Sequence, residues 1–142
     1  MRIIAAFTVA LPVAALAQPY PIGNRSVTFF DADRNRSIPT EVYYPALAAG
    51  ANAEVAEGSF PVLVIGHGFV MGTGAYANLR NHFVPLGYIV ALPTTEGGVP
   101  PNHGAFGLDI AYVSTALQAA GGEPASPFLG HVAPATAVMG HS

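Results

Sequence analysis

Apolar positions along the chain switch between alternation, unbroken runs and helical spacing, and each switch marks an element. In SVTFFDADRNRSIPTEVYYPA, Val27 and Phe29 alternate with polar neighbours, and Asp31 to Arg36 make a charge-dense turn. Ile38, Val42 and Tyr44 then return on one face at period two, which reads as a β-hairpin. Pro39 lacks an N–H for the ladder, so its strand is expected near a sheet edge. The small and polar stretch 46–59 is expected to be a surface connection. Val62 to Ile65 is a continuous branched-aliphatic run, the pattern of a strand buried on both faces. A glycine-rich loop, GHGFVMGTG, follows it. Tyr76, Leu79, Phe83 and Leu86 then recur at helical spacing, and Gly87 stops that helix. YIVALPTT is the next strand, ending at Pro93. Phe106, Ile110, Val113 and Leu117 mark a second amphipathic helix, closed by Gly121 and Gly122. A connector leads to the last strand, ATAVMG.

The order hairpin, strand, helix, strand, helix, strand predicts an α/β fold: an antiparallel hairpin, then parallel strands with helices on both faces. The length of 142 residues suits one domain. With 51% hydrophobic residues, 16 glycines and 13 prolines, the composition is that of a packed core joined by many turns. Only 9% of residues are charged, the net charge is -3, and all five basic residues are arginines. No basic stripe exists for nucleic acid.

The amino terminus has the secretory pattern. Arg2 supplies a positive start, IIAAFTVALPVAALA is apolar, and Ala15-Leu16-Ala17 places small residues where a signal peptidase cuts. The expectation is a signal peptide over 1–17, a mature chain from Gln18, and a secreted or periplasmic protein. A membrane anchor is the competing reading. The apolar run is shorter than the ~20 residues that span a bilayer, and no stop-transfer flank follows. There is no cysteine, so stability must come from burial.

Two stretches carry chemistry. The last strand runs into Gly140-His141-Ser142, the first half of the G-x-S-x-G nucleophile elbow, in which a serine sits on a tight turn between strand and helix. The loop after the first buried strand, His67-Gly68-Phe69, sits where such enzymes place an oxyanion donor. Gly68 lets the backbone bend toward a substrate. The Phe69 backbone N–H is the first candidate donor, and Val70 is the second choice.

On these residues the chain resembles the first half of a secreted α/β-hydrolase. It is similar to the bacterial dienelactone-hydrolase-like, chlorophyllase-like and platelet-activating-factor-acetylhydrolase-like esterases. The hairpin DADRNRSIPTEVYYPA, the block FPVLVIGHGFVMGTGAYANLRNHFVPLGYIVALPTT and the closing GHS carry the likeness. The resemblance implies a mostly parallel sheet, a Ser-Asp-His triad, and cofactor-free hydrolysis of small-molecule or polymeric carboxylic esters. It puts the nucleophile on Ser142 and the first oxyanion donor on Phe69. In this family the acid and the histidine follow the serine. The expectation is therefore an N-terminal portion of a hydrolase domain over 18–142, truncated at the elbow and inactive alone, since a hydroxyl without its base is a poor nucleophile.

Other readings attach to the same residues. Ser142 could be an ordinary strand-end serine. His141 at the elbow's variable position, Met71 and Tyr76 read as packing residues, and His67 as a structural loop residue. His103, His131 and Asp109 precede the serine, against the chain order a triad member needs, and Glu96 reads as a solvated loop charge. Gly66, Gly68 and Gly72 echo a dinucleotide-binding loop, with Glu96 as the ribose acid. Against this oxidoreductase alternative, a hairpin precedes the loop, Glu96 lies too far along, and an exported protein meets little soluble NAD. A P-loop would need a lysine, and the chain has none. A metal site would need ligands at a spacing such as H-E-x-x-H, which does not occur. A non-catalytic binding protein on the same fold is the second alternative.

Overall fold

The computed structural model describes residues 19–141. The expected signal peptide and the candidate nucleophile Ser142 both lie outside the described residues. Strands β1 (Ile22–Asp31) and β2 (Arg36–Pro45) form the expected hairpin, in register from Ile22↔Pro45 to Asp31↔Arg36. Asn35 closes the turn in the left-handed region, φ 48°, which asparagine tolerates. The remaining elements are β3 (Gly50–Ala51), β4 (Phe60–Gly66), α1 (Ala77–Phe83), β5 (Ile89–Pro93), α2 (His103–Ala120) and β6 (Val132–Gly140).

The six strands make one sheet in the order β3-β1-β2-β5-β4-β6. β2 pairs antiparallel with β5, whereas β5 and β6 flank β4 in parallel. The chain therefore steps from β4 outward to β5, then back across β4 to β6. Successive residues of β4 point to opposite faces. Val62 and Val64 pack in a cluster with Ile38, Tyr44, Val113 and Leu117, under α2. Leu63 and Ile65 pack in a second cluster with Tyr76, Val84, Val90 and Leu92, under the segment that contains α1. The two helices thus lie on opposite faces, as the alternation of elements predicts. The loops that lead into them diverge at the carboxyl ends of the strands, where open α/β sheets bind ligands.

Three expectations need correction. β2 is an interior strand, not an edge strand, despite Pro39. In an antiparallel strand the N and C=O of one residue face the same neighbour. The Pro39 carbonyl accepts from the N–H and Oγ1 of Thr94, just past the end of β5, so the missing donor falls where pairing with β5 has ended. The stretch 46–59 is more than a surface connection. β3 pairs parallel with β1, Ala46 bridges Val55, and Ala46, Val55 and Ala56 are buried. The helix expected from Tyr76 to Leu86 is broken into a 3-10 turn Thr73–Tyr76, α1, and a second 3-10 turn Val84–Leu86 around Pro85. That break turns Val84 into the core and leaves Leu86 exposed. Gly87 ends the segment as expected, at φ 94°.

Candidate active site

β4 and β6 end side by side, with Gly66 paired to Gly140. At Gly66 a Cβ would come within 2.5 Å of Ile110 Cδ1, so the glycine lets α2 pack close over the strand end. Beyond Gly66 the chain makes a tight turn, closed by the Met71 N–H donating to the Gly68 carbonyl (3.1 Å). Phe69 and Val70 are its central residues. Such a turn leaves its two central N–H groups outside its own hydrogen bond, so both candidate donors point away from the loop's internal bonding. Val70 takes φ 54°, a left-handed conformation that β-branched residues rarely adopt. Phe69 is 59% exposed.

The other strand end is tied to this turn. The His141 N–H donates to the Gly66 carbonyl (3.1 Å). The Gly68 N–H donates to Tyr76 Oη (2.7 Å), and the same hydroxyl lies 2.9 Å from His141 Nδ1. A Cβ on Gly68 would stand 2.9 Å from His141 Nδ1 and 3.1 Å from Met71 Sδ, so a side chain there would push His141 and Met71 aside. Phe69, His67, His103, Phe106, Gly140 and His141 line a cleft of about 380 Å³ between the two strand ends and the start of α2. Val70 faces a separate hollow with Met71, Thr73 and Thr94.

His67 braces the turn from the opposite side. Its Nε2 lies 2.8 Å from the Thr95 carbonyl and its Nδ1 3.0 Å from the Gly68 carbonyl, while its ring packs on Phe106 with centroids 4.4 Å apart. With both nitrogens against carbonyl oxygens, the ring is a structural post, as the sequence suggests. Thr95 in turn donates its hydroxyl to Asp109 (2.6 Å). Asp109 is fully buried and also accepts from Arg36 (2.7 and 2.8 Å) and Arg34 (2.8 Å). Burial opposes ionisation of Asp109, but the hydrogen bonds from Arg36, Thr95 and Arg34 outweigh it, and its carboxyl lies below the usual aspartate value. Arg36 is raised by its bonds to Asp109 and Glu96.

Glu96 is not a solvated loop charge. It accepts from the Asn102 N–H (2.8 Å) and pairs with Arg36 (2.7 Å), and these two bonds, the backbone one first, hold its carboxyl below the usual glutamate value. His103 begins α2 and is exposed on the cleft. His131 precedes β6 at the far end of the sheet, bonded to the Gly58 carbonyl (3.0 Å). Tyr76 and His141, each read as a packing residue, meet with ring centroids 6.0 Å apart, and their polar bridge goes beyond packing. Among the described residues no group of three or more His, Cys, Asp or Glu comes together, and no helix is long and apolar enough to cross a membrane.

The strand order, with antiparallel β1 and β2 leading into the parallel trio β5-β4-β6, can be set beside solved structures. A ferulic acid esterase from Streptomyces cinnamoneus superposes with a TM-score of 0.69 over 92% of this chain, at 21% sequence identity. The fold is that of the α/β-hydrolases. An S-formylglutathione hydrolase from Staphylococcus aureus shares it more loosely, with a TM-score of 0.52 over 91% of this chain and 10% identity. The chain spans about half of each, 54% and 52%. No protein-family model matches the sequence, and no curated protein matches it either.

The geometry of the loop disfavours the dinucleotide reading. Gly66, Gly68 and Gly72 lead into a 3-10 turn rather than the start of a helix, the Gly68 N–H is already bonded to Tyr76, and Glu96 is engaged by Arg36 and Asn102. What the sequence reading missed is the polar bracing: Tyr76 Oη between two loops, and Asp109 beneath Thr95. Asp109 had a signal. It lies three residues after Phe106 and four before Val113, on the apolar stripe of α2, and a carboxylate there requires a buried cation.

Proposed function

We propose that these residues contribute the nucleophile and half of the oxyanion hole of a secreted serine esterase. Ser142 attacks the carbonyl carbon of a small-molecule or polymeric carboxylic ester. The Phe69 N–H and the N–H of the residue after the serine hold the oxyanion. The general base and its orienting acid follow the serine in chain order, as in other enzymes of this fold. The base takes the Ser142 hydroxyl proton during attack, collapse of the tetrahedral adduct expels the alcohol with that proton, and water then frees the acid from the acyl-enzyme. No cofactor takes part.

The observation that carries this reading is the linkage of the Gly68–Phe69 turn to Gly140–His141. The residue before the proposed donor and the residue before the proposed nucleophile meet on one tyrosine hydroxyl, beside a cleft that Phe69 lines. The likeness to esterases of this fold supports the same class of chemistry.

The test is hydrolysis of aryl esters by the full-length protein and by its Ser142→Ala variant. The variant should lose about a thousandfold or more in kcat/KM with folding intact. Equal rates would remove this serine from the reaction. Ester binding without turnover by the parent protein would instead make it a non-catalytic relative.

A further inference from the structure

The proposed donor follows β4 and the residue before the proposed nucleophile follows β6, and something must fix these two loops against each other. An oxyanion donor works only at about 2.7–3.1 Å from the developing charge. Phe69 belongs to a turn that is half in solvent and strained at Val70. Its position cannot come from burial of its own side chain.

Tyr76 is buried at the end of the 3-10 turn that follows this loop. Its ring packs with Leu63, Ile65, Val84, Val90 and Leu92, the apolar cluster on the α1 face of the sheet. Its hydroxyl emerges between the two strand ends. The Gly68 N–H can only donate, so Tyr76 Oη accepts there. The hydroxyl's single proton then has two acceptors, His141 Nδ1 at 2.9 Å and Met71 Sδ at 3.7 Å. An imidazole nitrogen is the stronger and nearer acceptor.

We infer that Tyr76 is a positioning residue, whose hydroxyl sets the oxyanion turn at Gly68–Phe69 against His141, the residue before the proposed nucleophile, and fixes the His141 tautomer with its proton on Nε2. This rests on the esterase reading for its catalytic consequence, but not for the bridge itself. His141 is thereby a structural partner of the oxyanion turn and does not exchange protons with substrate. Tyr76 touches no reacting atom; it acts through Gly68 and His141.

The experiment uses Tyr76→Phe, which keeps the ring and removes the hydroxyl, in the full-length protein. Active sites are titrated from the acylation burst, so that misfolded protein does not count. The expected result is a roughly tenfold fall in kcat per active site with KM within about twofold, smaller than the hundredfold or more of losing a donor outright. His141→Ala should produce a similar fall. The double variant should be no worse than either single, because both cut one bridge. Single variants at parental kcat overturn the inference. So does a double variant whose loss is the product of the two, which would mean two separate packing effects.

A second arm does not depend on turnover. In the Ser142→Ala protein, nitrogen NMR should show His141 unprotonated at Nδ1 and protonated at Nε2, and Tyr76→Phe should move the Gly68 amide resonance. A His141 protonated on Nδ1, or a Gly68 amide indifferent to Tyr76→Phe, overturns the bridge. If the Tyr76 variant does not fold, His141→Ala must move the Gly68 resonance in its place. Hydrolysis that survives Ser142→Ala sinks the esterase reading, while this arm still decides the bridge.

Discussion

At Val70 the backbone holds a conformation its side chain resists. A branched side chain at φ 54° costs about 1–2 kcal/mol relative to a residue that accepts the left-handed region. The turn is closed by Met71 and Gly68 and braced on either side by His67 and Tyr76, so its neighbours impose the conformation. Val70→Asn should relieve it. Asparagine tolerates this region without the roughly 0.5–1 kcal/mol of chain entropy that glycine would give back. The expected outcome in urea unfolding is a gain of about 0.5–1 kcal/mol, and a loss of stability would show that the strain has been misjudged. The same turn illustrates what single residues reveal. Gly68 was legible as a place where backbone must come close, because the pattern G-H-G after a buried strand demands it. The atom it must clear, His141 Nδ1, was not legible, since it lies just past a strand 73 residues later.

At the scale of elements, a run of polar contacts links the hairpin, α2 and the loop after β5. Arg34 and Arg36 leave the hairpin turn, meet Asp109 on α2, and Asp109 receives Thr95, whose carbonyl steadies His67. Asp109→Asn would leave Arg34 paired with Asp31 alone and Arg36 with Glu96 alone. The cost should be about 2–3 kcal/mol, below the roughly 3–5 of a fully buried pair because both arginines keep some solvent contact. The pH dependence follows from the direction of the shifts. Asp109, Asp31 and Glu96 are all held below their ordinary values. Such groups bind fewer protons folded than unfolded, so their stabilisation is complete above pH ~4 and is lost as pH falls toward the lower folded-state values. Unfolding measured between neutral pH and pH 2 should show this acid loss, with a visibly shallower limb in Asp109→Asn. An unchanged limb would mean that Asp109 is not the group being protonated. The hairpin and both helices could be read from periodicity. This clamp could not, because its members lie up to 75 residues apart and chain spacing does not report their approach.

At the scale of the molecule, the sheet is unevenly covered. β4 and β5 are buried on both faces, whereas β6 is mostly exposed along its length, Val138 included. Pro134 lies in β6 near the register shift opposite Phe60–Val62, and Gln118 from α2 donates to the Ala133 carbonyl (3.0 Å) and Thr136 Oγ1 (2.7 Å) across it. Local opening should follow this pattern. In amide hydrogen exchange on the 142-residue chain, β4 and β5 should protect longest, and the β6 amides not bonded to β4 should exchange first. Equal protection across the sheet would mean that β6 is covered in solution.

The sequence alone determined the hairpin, the buried strand, the two helical segments and the α/β class, because those rest on hydrophobic period, which is local. It also singled out the turn after β4 and the Gly-His pair at the end of β6, because glycine at a strand end has few uses. The tertiary structure decided that β2 lies inside the sheet, that β5 and β6 take opposite sides of β4, and that Tyr76 joins the two loops. Strand order is a choice among pairings with nearly the same local cost. A hydroxyl finds its partners only when the packed core has fixed where its ring must lie.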